Sequence, residues 1–198
     1  MVVRLLRSPL TWAVVVVLAI GAAIGLYWFQ PWKLVTDTTV AESLSTPAPP
    51  PSATSGPPGS PGPSGTPEAS APGPTGSPAA GPVLLSQGGF VTHEHDTSGT
   101  ARIVRLPDGS RRLELVNFST SNGPDLRIWL TDQPVREGQA GWRVFDDGRW
   151  VELGRLKGNK GNQAYLIPAG VDLTGLGSVS IWCKRFAVSF GAASLRPA

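Results

Sequence analysis

The sequence predicts an all-β domain, an antiparallel sandwich or barrel, carried on one transmembrane helix through a disordered Pro-rich linker. Three observations carry this reading: an uncharged apolar run near the N-terminus, a low-complexity stretch behind it, and period-two alternation between turn signals from Val83 onward. The chain of 198 residues holds 24 Gly and 20 Pro but one Cys and one Met. One cysteine excludes a disulfide-stapled scaffold and any zinc site built on paired Cys motifs. The Gly and Pro follow no triplet period, which excludes a collagen-like chain.

Residues 1–33 read as a cytoplasmic stub and a membrane-spanning helix. Leu10–Phe29 carries no charge, and at 1.5 Å per residue it spans about 30 Å, the hydrocarbon thickness of a bilayer. Trp12, Tyr27, Trp28 and Trp32 sit near its ends, where amphipathic rings prefer the headgroup level. Arg4 and Arg7 precede it and only Lys33 follows closely, so the positive-inside bias puts the N-terminus in the cytoplasm and the rest outside. A cleaved signal peptide is the competing reading. Its apolar region is usually about 7–15 residues with a small-residue cleavage site behind it, and this run fits neither.

Residues 34–82 read as linker. Ser45–Pro82 holds 13 Pro, 7 Gly, 11 Ser or Thr and a single charge, Glu68, too little apolar surface to offset the entropy of ordering. Such a chain is a semi-stiff spacer that holds a domain clear of a membrane.

Residues 83–198 form the globular unit, which carries the whole net charge of +3 as 14 basic against 11 acidic residues. The charges are scattered, which reads as a solvated surface and not a nucleic-acid footprint. Thr100–Leu106 runs into the turn Pro107-Asp108-Gly109-Ser110. Leu113 and Leu115 alternate in the next strand, then Leu126, Ile128 and Leu130. Val144-Phe145 precede a hairpin-like turn at Asp146–Arg149 and a strand from Trp150, and Tyr165 and Ile167 follow a turn at Gly158–Asn162. In the last region Val179, Ile181 and Cys183 share one parity, and Phe186, Val188 and Phe190 the other. Either a β-bulge or a tight turn at Lys184-Arg185 shifts the phase. The bulge is expected, because Lys-Arg is poor chemistry for a two-residue primed turn.

Six blocks in order carry a resemblance: Gly88–Phe90, His95–Gly99, Leu113–Phe118, Asn122–Thr131, Leu153–Pro168 and Val179–Leu195. Together they resemble the DM13 domain, an extracellular all-β module described as an electron-transfer type. The resemblance covers nearly all of Val83–Pro197 and none of the anchor or linker. It implies a sandwich related to DOMON-type domains, with a redox-active cysteine that maps onto Cys183.

Cys183 is therefore the first candidate, with His95 beside it. A free thiol is mostly protonated at neutral pH, and strand alternation turns Lys184 away from the sulfur. The same parity makes Cys183 a plausible small core residue. One thiol cannot close an intramolecular disulfide, so redox chemistry needs a partner thiol, a metal or a cofactor, and the sequence names no cofactor. His93 and His95 share a face if that segment is extended, and with Cys183 they make a copper-type ligand set. Asp125 reads as fixing the Gly123-Pro124 bend, or as binding a ligand. Gly158–Asn162 reads as a hairpin turn, or as a nest for an anion. Trp129 and Trp182 lie opposite in parity to the apolar residues of their strands, which gives either an open aromatic face or a second packed face. No nucleophile–base–acid set is present.

The expected function is an accessory redox role centred on Cys183, with the membrane and an unidentified redox or envelope partner and no nucleic acid. The alternative is a ligand- or partner-binding module of the cell envelope that uses the face bearing Trp129 and Trp182.

Overall fold

A computed structural model describes residues 9–47 and 81–198; the remainder of the expected stub and linker falls outside them. Helix α1 (Pro9–Phe29) is apolar all round and buries no residue against the protein, as a lipid-facing helix does. It is long and apolar enough to cross a membrane. A 3₁₀ turn at Pro31–Val35 follows.

Among the described residues ten strands follow: β1 (Thr39–Ala41), β2 (Val83–Thr92), β3 (Ser98–Arg105), β4 (Arg111–Ser119) and β5 (Leu126–Thr131), then β6 (Trp150–Arg155), β7 (Lys160–Ile167), β8 (Ser178–Cys183), β9 (Val188–Ser194) and β10 (Arg196–Pro197). They make one hydrogen-bonded path, β1-β7-β4-β3-β2-β9-β8-β5-β6, with β10 against β2. The β1–β7 pairing is parallel and the others are antiparallel. The all-β expectation holds. The architecture is one curled, mixed sheet instead of two separate antiparallel layers.

Chain length explains the curl. Strands β6 and β7 lie seven pairings apart along the path, about 34 Å in a flat sheet at ~4.8 Å spacing. Arg155 and Lys160 are only five residues apart, and five Cα steps reach at most about 18 Å. The sheet must bend to bring them together. Strand β2 makes the corner: Val83–Gly89 pair with β3, and Phe90–Thr92 pair with β9. A Cβ on Gly88 would lie 1.9 Å from the Ser194 carbonyl oxygen, so only glycine fits there. Inside the curl, Leu113, Leu115 and Tyr165 of one half meet Ile128, Ile181 and Phe190 of the other in the main core. The alternation read along β4, β5 and β8 is the alternation that fills this core.

The Lys184–Ala187 segment is a four-residue turn, not a bulge within one strand. Four residues need no primed turn, and Ala187 takes the left-handed conformation, φ 49°, that closes the hairpin. Val144 and Phe145 lie in a loop and not a strand, because β6 pairs with β5.

Thr39–Ala41, inside the stretch read as linker, is the further departure. It pairs with Lys160–Asn162 at the sheet edge. Gly158–Asn162 is its seat, neither a hairpin turn nor an anion nest: Cβ atoms on Gly158 and Gly161 would meet the Thr38 and Val40 carbonyl oxygens at 2.4 and 2.0 Å. Asn159 donates to Asp37 at 2.8 Å and accepts from the Thr38 N–H at 2.7 Å, and Lys160 pairs with Asp37. Beyond β1, the Ser45 N–H reaches the buried Glu114 carboxylate at 2.9 Å, while Arg102 bridges Glu114 and the Ser45 carbonyl. Residues 36–45 therefore strap the outer face of β7, β4 and β3.

Candidate functional site

Cys183 ends β8, opposite Leu126 on one side and Val188 on the other. It is a free thiol with 0 % of its surface exposed, part of the main core. The reason is local. The Phe186 N–H donates to the Cys183 carbonyl and the Lys184 N–H to the Asp125 carbonyl, which folds the turn back over the strand end. Burial pushes the thiol above its ordinary pKa. The backbone at Phe186, Arg185 and Asp125 opposes that shift, and the Glu94 carboxylate adds to it. The sulfur is a protonated thiol at neutral pH.

The two histidines part company. Strand β2 stops at Thr92 and the chain bends through His93–His95, so the alternation that would put both rings on one face fails. His93 is buried and stacked on Phe145, ring centroids 5.7 Å apart. Its Nε2 lies 2.9 Å from the Arg136 carbonyl, which can only accept, so Nδ1, 2.9 Å from the Ser189 hydroxyl, is the acceptor of the neutral ring. Burial holds its pKa below the ordinary 6.5, against the pull of the Arg136 carbonyl. His95 packs on Phe190, centroids 3.9 Å apart, with Glu94 3.9 Å from its Nε2. It lines an apolar hollow with Phe29, Pro124, Phe186 and Phe190, at the junction of helix foot and domain. Phe145 and Phe190 belong to different clusters, so the rings serve different environments. Among the described residues, no group of three His, Cys, Asp or Glu side chains is placed to hold a metal ion. The His93–His95–Cys183 set is not assembled.

Trp129 and Trp182 are covered, 3 % and 1 % exposed, and form a second cluster with Phe145 and Ala192. The loop between β5 and β6 supplies Phe145, Val135 and Val144 as the cover. They form a packed second face, and an open binding platform on these two rings is ruled out. Asp125 does more than fix a bend. Its carboxylate takes Arg127 at 2.7 Å and Arg155 at 3.4 Å. Arg127 also pairs with Glu152 at 2.8 Å, and Lys184 lies 3.4 Å from the same acid. This charge network over the end of β8 was illegible in the sequence, because its members are scattered over four elements.

The family described as electron transfer DM13 matches residues 89–195, just over half the chain and nearly all of the curled sheet. The chain belongs to the electron transfer DM13 family. No curated protein and no solved structure matches it. The matched DM13 region runs from the β2 corner through β9 and contains Cys183, His93, His95 and the tryptophan cluster. The helix and β1 lie outside it.

Proposed function

We propose that this chain is a membrane-anchored redox accessory whose DM13 domain stands on the extracytoplasmic side, with Cys183 as a thiol masked beneath the 184–187 turn. The observation that carries the reading is a free thiol buried at the strand end under the four-residue 184–187 turn, in a family described as electron transfer. Burial is what keeps the sulfur protonated, and opening of the turn removes it. The exposed thiolate then attacks a disulfide of a partner protein. A mixed disulfide forms and the partner's second sulfur leaves as a thiolate, so electrons balance without a second cysteine in this chain. His95, in the hollow that also takes in Phe186 of the turn, is assigned as the proton acceptor.

The apolar helix anchors the domain, and the charge bias sets its foot outside. Residues 36–45 precede the Pro-rich stretch yet bind the domain. The strap, not that stretch, therefore sets the distance from the membrane.

Glutathione disulfide added to the folded full chain in detergent should leave one glutathionyl group on Cys183, removable by dithiothreitol and absent from Cys183→Ala. An adduct that forms only in denaturant overturns the reading.

A further inference from the structure

Three tryptophans far apart in sequence stack in a continuous line. Trp150 and Trp129 have ring centroids 4.0 Å apart and planes 6° from parallel, and Trp129 and Trp182 are 5.0 Å apart at 22°. The strand pairings build this line: Thr131 faces Trp150, Trp129 faces Ser180, and Arg127 faces Trp182. One end is open, since Trp150 on the edge strand β6 is 39 % exposed. The other end is buried, and Trp182 immediately precedes Cys183. The middle ring carries a feature that packing does not require. The Trp129 indole N–H points at Glu152 Oε2, 3.3 Å away.

We propose that Trp150, Trp129 and Trp182 form a one-electron relay from the protein surface to the interior. A one-electron acceptor of high potential docks on Trp150 and withdraws an electron, which Trp129 replaces. As Trp129 is oxidised, its indole proton passes to Glu152. The balanced step converts Trp129, acceptor and Glu152 carboxylate into a neutral tryptophanyl radical, reduced acceptor and Glu152 carboxylic acid. A one-electron donor reverses it.

Glu152 stands ionised against the indole N–H and is a weak base, which takes the proton only because oxidation makes the indole far more acidic. Partial burial works against its ionisation, but the Trp129 N–H, Arg127 and Lys184 outweigh burial and hold its carboxyl below the usual range. Stacked contacts at 4.0 and 5.0 Å between centroids give the electron a ring-to-ring path along the line. The relay rests on the redox role of the domain but not on Cys183.

The test is flash photolysis of the full chain in detergent with a ruthenium(III) polypyridyl oxidant generated in place, read by transient absorption and electron spin resonance. In a parent chain with Trp12, Trp28 and Trp32 replaced by Phe, both that parent and its Trp142→Phe control, which lies outside the stack, should give a neutral tryptophanyl radical. Trp150→Phe, at the exposed edge, and Trp129→Phe should lose it while melting as folded proteins. Glu152→Gln should leave the protonated radical cation in its place. A radical yield unchanged in both Trp129→Phe and Trp150→Phe, or no radical in the parent, overturns the relay. A signal lost in Cys183→Ala but kept in Trp129→Phe also overturns it, and leaves the thiol reading standing.

Discussion

The Glu42 carboxylate takes Lys157 Nζ at 2.7 and 3.0 Å, from a partner 115 residues away, and also accepts the Ala164 N–H at 2.7 Å. That grip fastens a segment N-terminal to the Pro-rich stretch onto the edge of the sheet. If a protease site is placed within residues 48–80 and cut, the wild-type domain should stay with the membrane. With Gly158→Ala, whose Cβ would lie 2.4 Å from the Thr38 carbonyl oxygen, the cut domain should be released. Sedimentation of cut membranes reads the difference, and release of both proteins alike contradicts the strap.

Acid should loosen the same strap. The hydrogen bond from Lys157, then the Ala164 N–H, hold the Glu42 carboxyl below its ordinary 4.5. A depressed acid stabilises above its unfolded pKa and loses that contribution as pH falls through the folded one. Retention of the cut domain should therefore hold at neutral pH and fail in the window below about pH 4.5. Retention unchanged down to pH 3 contradicts it.

Histidine 93 gives a separate pH signature. Its folded pKa lies below 6.5 because burial disfavours the imidazolium. Unfolding thus takes up a proton, and stability falls as pH drops from 6.5 towards the folded value, at up to about 1.4 kcal/mol per pH unit. Denaturant titrations at pH 7.5 and 5.5 should show this loss in wild type and not in His93→Phe. Equal slopes in the two proteins rule it out.

Buried Glu114 depends on Arg102, whose guanidinium meets it at 2.7 Å. Arg102→Ala leaves a fully buried carboxylate short of its cation, which costs about 3 kcal/mol or more. The double variant with Glu114→Ala should recover part of that loss. Additive losses in a double-mutant cycle would mean the pair is not coupled.

The elements that alternate cleanly were legible: Leu113 and Leu115, Leu126, Ile128 and Leu130, and Val179 and Ile181 all reach the main core. Trp129 and Trp182 were readable as a second packed face, but its cover comes from a loop whose apolar residues, Val135, Val144 and Phe145, carry no strand or helix period. Parity placed His93 and His95 on one face, and a bend invisible to parity separated them. Thr39–Ala41 was hidden for a different reason. Three residues beside a low-complexity stretch carry no pattern, and their seat, Gly158 and Gly161, looks like an ordinary turn until Val40 is seen against it. The burial of Cys183 was one of two readings its parity allowed, and the turn over it decided between them.

The masked thiol is tested most directly by the rate at which Cys183 in the folded full chain reacts with a disulfide reagent, set against the rate of global unfolding. Local opening of the 184–187 turn predicts labelling much faster than unfolding. It also predicts that Ala187→Gly slows labelling, because relief of the left-handed strain at φ 49° stabilises the closed turn by about 0.5–1 kcal/mol. Labelling that merely tracks global unfolding, with Ala187→Gly altering both rates together, would make Cys183 a core residue and contradict the account.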